Sequence, residues 1–310
     1  MCMGADAMVQ LVELKKRFRK ISALDGVSFT IGEGEVFGYL GPNGAGKTTT
    51  IRVLMGMLRP TAGRAEILGR DSWRQSVEVR KLVGYVPGEP ALYERLTGRD
   101  HIAFCSHLRH KDATQRALRL AGRLDLDLGR PAKTLSRGNR QKLAVVLSMM
   151  SGPRLLVLDE PTSGMDPLVQ QVFHELLREH TAGGGSVLLS SHVLGEVERV
   201  ADRIGVVREG RLVAVERLQE LAARSLHRVR ASFTEDVAGA DFEGLPGLRD
   251  VVVNGRTLSC SAPQSALDAL LKRVSQHQVV DFECAEAPLE ETFLSYYGSD
   301  RAGDGGSRAQ

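Results

Sequence analysis

Up to about residue 222 the chain alternates short apolar runs, each stopping abruptly at polar residues, with longer segments of helical period. That alternation predicts an α/β domain whose strands are covered on both faces. "EVFGYLG" (35–41) reads as a strand ending in glycine, and "LLVLDEP" (155–161) and "SVLLSSH" (186–192) read as two more. Between the latter two, "DPLVQQVFHELLREH" (166–180) predicts a helix with Asp166 as N-cap and Pro167 in its first position. "IGVVREGRLVAV" (204–215) predicts a hairpin turning at Glu209-Gly210. Residues 97–150 break the alternation. They are helical in period and rich in Arg, His and Leu, and they predict a helical subdomain.

The pattern restarts after about residue 225. "VRASF", "DVVVNGRTLSCSA" with its Asn-Gly turn, "SALDALLKRV", "VVDFEC" and "PLEETFLSYY" predict a small α+β domain over 225–298. The expected division is a disordered start (1–7), a main domain (8–222), the small domain and a Gly-, Ser- and charge-rich disordered tail (299–310).

Composition narrows the class. A chain of 310 residues suits two domains, and 42% hydrophobic with 25% charged residues is ordinary for a soluble globular protein. The net charge of +3 is too mild and too unclustered for a dedicated nucleic-acid binder, so no nucleic-acid partner is expected. No run approaches the roughly 18 apolar residues that span a bilayer, and "MCMGADAM" has no apolar core of a leader. Cys2, Cys105, Cys260 and Cys284 are scattered, which argues against a zinc or disulfide framework and fits a reducing, cytoplasmic compartment.

The sharpest chemistry lies in "GPNGAGKTT": Gly41, Pro42, Asn43, Gly44, Ala45, Gly46, Lys47, Thr48 and Thr49. It matches Gly-x-x-x-x-Gly-Lys-[Ser/Thr], the phosphate-binding loop, between a predicted strand and the helical "TTTIRVLMGML". Glycines let successive amides turn inward on a phosphate while the following helix directs its positive end there. Lys47 would reach the β- and γ-phosphates of a nucleotide, and the Thr48 hydroxyl would ligate Mg²⁺.

"LLVLDE" ends a buried strand in two carboxylates, a costly arrangement unless they meet a cation or a reacting group. Asp159 is placed to hold Mg²⁺ through water and Glu160 to polarise an attacking water as general base. The structural alternative is a strand-end Asp capping the next helix. His192, alone after "SVLLSS", is by itself more often a structural hydrogen-bonder than a catalytic group. "LSRGNRQK" (135–142) precedes the apolar "LAVVLSMM". Ser136 is a good N-cap there, and Leu143, Val146, Leu147 and Met150 recur at helical spacing for burial. The free amides of that helix start, with Ser136 and Gly138 in close approach, make an anion site. From these residues alone, a basic patch or a solvated helix end stays open.

In this order the motifs resemble the nucleotide-binding subunit of an ATP-binding cassette (ABC) transporter, over about residues 8–220. The resemblance implies a P-loop NTPase fold of ABC type with a helical subdomain over 97–150. It implies that Phe18, in "KKRFRKISALDGVSF", stacks on adenine. It further implies that Asp166, in "TSGMDP", is the D-loop acid and that His192 is a switch residue contacting the γ-phosphate. "LSRGNRQK" resembles the Leu-Ser-Gly-Gly-Gln signature, which implies that Ser136 and Gly138 hold the γ-phosphate of ATP bound by a second subunit. The expected protein is an Mg²⁺-dependent ATPase, with two copies sandwiching two nucleotides head to tail. It would sit on the inner face of the membrane through separate transmembrane permease subunits.

Two departures stand out. Arg137 and Asn139 replace a glycine and the glutamine of the signature; Arg137 either adds a cation near the phosphates or points to solvent. In "VGYVPGEP" (83–90) the family's metal-sensing glutamine is Gly88, so either Glu89 substitutes or water completes the metal's shell. The C-terminal "LEETFLSYYG" resembles the accessory domain of drug-export ATPases, although Leu289, Phe293 and Tyr297 at four-residue spacing fit an amphipathic helix equally well. Two other readings were open: a soluble ABC ATPase acting on ribosomes or DNA, and a degenerate nucleotide-binding regulator. The single cassette without insertions opposes the first, and Lys47, Asp159, Glu160 and His192 together oppose the second.

Overall fold

Every residue of 155–159, LLVLD, is buried, and so is every residue of 36–40 and 186–191. Continuous burial of this kind fits only central strands of a parallel sheet covered on both faces. The computed structural model describes residues 7–109, 112–223, 226–242 and 244–286. Most of the expected disordered start, the tail from 299, and Leu289, Phe293 and Tyr297 lie outside the described residues.

Elements run in the order β1 (Val9–Phe18), β2 (Ile21–Ile31), β3 (Val36–Leu40), α1 (Lys47–Leu54), β4 (Ala62–Ile67), β5 (Arg70–Asp71), α2 (Ser76–Leu82) and β6 (Val83–Val86). They continue with α3 (Gly98–Leu108), α4 (Thr114–Arg123), α5 (Arg137–Met149), β7 (Leu155–Asp159), α6 (Pro167–Ala182) and β8 (Ser186–Ser191). Last in this unit come α7 (Leu194–Glu198), β9 (Arg203–Arg208) and β10 (Arg211–Arg217).

Six strands form the central sheet in the order β10-β9-β3-β8-β7-β6. Strand β3 runs parallel to β8 on one side, with Val36 opposite Val187, and parallel to β9 on the other, with Phe37 opposite Arg203. Strand β8 in turn pairs with β7 and β7 with β6, all parallel. A second sheet, antiparallel in the order β2-β1-β4-β5, packs on this core. Phe29 of β2 stacks on Phe37 of β3 with ring centroids 4.9 Å apart. Tyr39, Ile51, Leu54 and Leu188 fill the space around them. Burying side chains of this size contributes about 1.5–3 kcal/mol each.

Local chemistry sets the helix starts. The Thr97 hydroxyl accepts from the Asp100 amide and Asp100 answers to the Thr97 amide, a complete capping box for α3. Asp166 caps α6 by accepting from the Val169 amide at 3.0 Å, with Pro167 in the first position. Helix α5 differs from the expected one-sided stripe. Ala144, Val145, Ser148 and Met149 are buried along with Leu143, Val146 and Met150, while Leu147 is only half-buried. Packing against α3, α4 and β6 encloses the helix, so its apolar residues need no single face.

A second unit begins at Arg217, so that α8 (Leu218–Ala223) belongs to it; the sequence pattern placed this boundary at 222–225. Strands β11 (Leu226–Phe233), β12 (Arg249–Asn254), β13 (Thr257–Pro263) and β14 (Val279–Glu286) form an antiparallel sheet in the order β12-β13-β11-β14. Helix α9 (Leu267–Val274) contributes Leu270 and Val274 to a core with Val229, Phe233, Phe242 and Leu258. Among the described residues, no helix is long and apolar enough to cross a membrane.

Candidate functional site

The sheet register gathers the predicted chemistry at one edge. Leu40, the last residue of β3, lies opposite Ser191 of β8, and Asp159, the last of β7, lies opposite Ser190. Crevices at the carboxyl ends of parallel strands are where open α/β sheets bind ligands. Here the loop 41–46 leaves β3 and returns as α1, whose first residue is Lys47. At φ +111°, Gly46 is in a conformation closed to side chains, and a Cβ there would stand 2.8 Å from the Ala23 carbonyl. The loop is braced from behind: the Gly210 amide, in the β9–β10 turn, donates to the Ala45 carbonyl at 3.0 Å.

A cavity of about 180 Å³ opens on this loop, lined by Pro42, Asn43, Gly44, Gly46, Lys47, Thr48, Thr49, Ala23 and Glu160. The buried Lys47 donates from Nζ to the Gly41 carbonyl at 2.5 Å and to the Pro42 carbonyl at 3.3 Å. Its Nζ also lies 3.4 Å from Glu160 Oε1, an ion pair without hydrogen-bond geometry, and that oxygen has no hydrogen-bond partner. The other carboxylate oxygen of Glu160, Oε2, is 2.7 Å from His192 Nδ1.

Glu160 has φ +49°, a strained conformation for a non-glycine residue that persists where the surroundings impose it. Three groups do so. Its amide donates to the Ser190 carbonyl at 3.1 Å and to Ser190 Oγ at 3.3 Å, and its carbonyl accepts from Gln141 Nε2 at 3.4 Å. Ser190 Oγ donates to Asp159 Oδ1 at 2.6 Å, fixing a carboxylate that is only 2% exposed. Asp159 does not cap a helix. Burial and the charge of Asp159 together push the Tyr85 phenol up to about 12.

Lys47, Thr48, Thr49 and Glu160 thus meet around one cavity, with His192 on Glu160 and Asp159 anchored beside it. Phe18 stands apart at the end of β1, 42% exposed, with Lys16 Nζ 4.9 Å from its ring centroid, and does not line the phosphate cavity. Asp166 spends Oδ1 on the α6 cap, and the Val169 amide holds its carboxyl below the usual carboxylate range. The octet 135–142 also lies outside the cavity lining. Ser136 caps α5 by accepting from the Asn139 amide at 3.3 Å. Gly138 is buried against the Gly164 carbonyl, which leaves no room for a Cβ, so its size is dictated by its own chain. Arg137 is exposed and donates to Ser163 Oγ at 2.8 Å, a partner on its own chain that its sequence position did not point to. The sequence reading passed over Ser190, Gln141, Ser163 and Glu196, whose carboxylate accepts from Thr162 and Ser191. The doubled serine before His192 was the available signal for the first. A larger cleft of about 800 Å³ lies at the opposite, N-terminal ends of β6 and β7, beside Arg80, Leu108, Arg109 and Pro153, and holds none of these groups.

Comparison with known proteins agrees with this geometry. The sequence model of the ABC transporter family matches residues 24–163. The chain is 36% identical to the daunorubicin resistance ATP-binding protein DrrA3 of Streptomyces coeruleorubidus, over 96% of this chain and 98% of that protein. This chain belongs to the ABC transporter ATP-binding family. The ABC subunit is also 32% identical to the Nod factor export ATP-binding protein I of Ralstonia nicotianae, over 96% of each chain. A solved ATP-binding subunit of an ABC transporter superposes with a TM-score of 0.65 at 30% identity, covering 69% of this chain and 91% of that one. The protein is therefore the ATP-binding subunit of an ABC transporter, with the cassette fold and ATPase activity of that family.

Proposed function

We propose that this ABC ATPase drives export of a small molecule through separate transmembrane permease subunits, working as a head-to-tail pair of identical chains on the inner face of the membrane. Relatives named for daunorubicin resistance and Nod factor export support the direction. The pairing rests on one observation: Ser136 and the rest of the octet lie outside the cavity formed by their own phosphate loop. A helix start that carries a capping serine but faces no ligand of its own chain fits a phosphate brought by a second copy. In this reading Lys47 and the amides of 41–49 hold the β- and γ-phosphates. Glu160 takes the proton of the attacking water, and His192 orients Glu160 and reaches the γ-phosphate. Phe18 stacks on adenine, and Asp166 lies at the junction of the two copies. ATP closes the pair and hydrolysis reopens it.

Mg²⁺ fits the donor set. Thr48 and Asp159 offer hard oxygens, and Ser190 engages Oδ1 of Asp159, while beside Oδ2 the Gly88 backbone leaves space. Among the described residues no cluster of His, Cys, Asp and Glu could hold a metal through protein groups alone. A magnesium ion shared with nucleotide phosphates keeps several waters and needs no such cage. When bound, it would neutralise charge on the β- and γ-phosphates. Glu89 is exposed, so the space next to Asp159 belongs to Gly88. A Cβ on Gly88 would stand 3.6 Å from the Asp159 carbonyl and 3.7 Å from Oδ2, ordinary contact distances. Gly88→Gln is thus expected to fold normally and to lower the Mg²⁺ concentration for half-maximal hydrolysis by up to about tenfold. A magnesium titration of ATPase activity checks this.

Ser136→Arg tests the pairing. In membranes carrying the subunit and its permease it is expected to reduce hydrolysis by about 10²-fold or more, while the isolated chain binds ATP as before. Losing the cap costs α5 about 1 kcal/mol, which its burial tolerates. Collapse of ATP binding by the isolated chain would instead assign the octet to its own site.

A further inference from the structure

The first two turns of α5 are bound to Glu160 and the segment that follows it at three points, and one of them depends on a residue where the family pattern has glycine. Arg137 donates to Ser163 Oγ at 2.8 Å. The stem of Arg137 lies along Gly164: a Cβ built on Gly164 would stand 3.5 Å from Arg137 Cγ and 3.6 Å from Cδ. One residue on, Gly138 is pressed against the Gly164 carbonyl. One turn on, the buried Gln141 donates to the Glu160 carbonyl at 3.4 Å. Ser163 itself donates its amide to the Glu160 carbonyl at 3.3 Å. Two routes therefore lead from α5 to the backbone of Glu160, one directly through Gln141 and one through Arg137 and Ser163.

Glu160 is where such restraint matters. Its backbone is strained at φ +49°, and its carboxylate is held between Lys47 and His192 with one oxygen unbonded at the cavity. A catalytic carboxylate that drifts by about 1 Å loses much of its effect. A guanidinium suits the task, because its planar fork is preorganised and less freedom is lost per hydrogen bond than with lysine. The serine hydroxyl it engages sits three residues beyond the carboxylate, on a turn whose Thr162 and Met165 side chains are buried.

We propose that Arg137 is a positioning residue for Glu160, acting through Ser163, so that the helix presented to the second copy is tied to the base of its own site. The proposal rests on the reading of Glu160 as the base. Arg137 touches no part of the phosphate cavity, and its effect falls on turnover rather than on nucleotide affinity.

The test uses the full chain with its permease and compares Arg137→Ala, Arg137→Lys, Ser163→Ala and the double Arg137→Ala/Ser163→Ala. Each alanine variant is expected to lower kcat about three- to tenfold with KM for ATP unchanged within about twofold, the range of a coupled contact pair. The double variant is expected to be no slower than either single one, and Arg137→Lys, which keeps a donor for Ser163, to recover part of the loss. Melting temperatures equal to the unmodified chain show that the fold is intact. Additive losses, unchanged kcat in either alanine variant, or a raised KM in Arg137→Ala with Ser163→Ala silent would each overturn the proposal; the last would place the guanidinium on a phosphate. Failure of the reading beneath it is separate, and shows as unchanged turnover in Glu160→Gln.

Discussion

Glu160→Gln is expected to lower kcat for ATP hydrolysis by about 10²–10⁴-fold, the span that a positioned general base supplies, while ATP still binds. Glutamine keeps the shape of the side chain and can still meet His192, but it has no basic oxygen to take a proton from water. The fold has little reason to respond. The restraints on residue 160 come from its amide and carbonyl, through Ser190 and Gln141, and are indifferent to the side chain. Binding has reason to hold or to tighten, because Lys47 Nζ loses the carboxylate that lies 3.4 Å away and becomes freer to meet a phosphate. Phosphate release measured beside nucleotide binding checks both halves, and unchanged turnover would remove Glu160 from the reaction.

Lys47→Ala is expected to act on the other quantity. Its ammonium is the buried cation of the cavity, held over the loop by the Gly41 and Pro42 carbonyls. A hydrogen bond to a charged group contributes about 1.5–3 kcal/mol, so the affinity for ATP should fall by about 10–10²-fold. Part of that loss comes from the loop itself, whose two carbonyls lose the donor that fixes them before nucleotide arrives. Titration with a fluorescent ATP analogue reads the change, and affinity within twofold of the unmodified chain would show that the loop amides bind the phosphates alone. The two substitutions at one ion pair thus separate affinity from turnover, because Glu160→Gln relieves Lys47 whereas Lys47→Ala removes it.

The proximity of Lys47, Asp159, Glu160 and His192 was legible because each follows a short apolar run that could only be a central strand of one parallel sheet. Parallel strands end at a common edge, and the adjacency of β3, β8 and β7 in the sheet brings these terminal polar residues together. What joins them was not legible. Ser190 links Asp159 to the backbone of Glu160 across two strands, and no periodicity marks one serine of a pair as the bonded one. The bond from Arg137 to Ser163 was not legible either, because Ser163 comes from a turn 26 residues further along the chain. Helix α5 read as one-sided from Leu143, Val146, Leu147 and Met150, yet Val145 and Met149 are buried as well, because α3, α4 and β6 all pack against it. The boundary near 216 was missed because β10 and α8 follow each other directly, without the Gly- or Pro-rich linker that usually marks a division.

The placement of β3 between β8 and β9 has a consequence for biogenesis. The phosphate loop is written into the first 49 residues, but the strand that carries it finds no neighbour in its own sheet until residues 186–208 exist. A chain leaving the ribosome therefore completes its antiparallel sheet early, since β1, β2 and β4 are close in sequence. It then carries an unsupported nucleotide loop through the synthesis of the whole helical subdomain. Contacts so distant in sequence form late and slowly, and ATP can act as a ligand chaperone only for a chain translated beyond His192. Truncated products that stop short of β8 hold the most recognisable motif of the protein on a strand with no neighbour in its sheet.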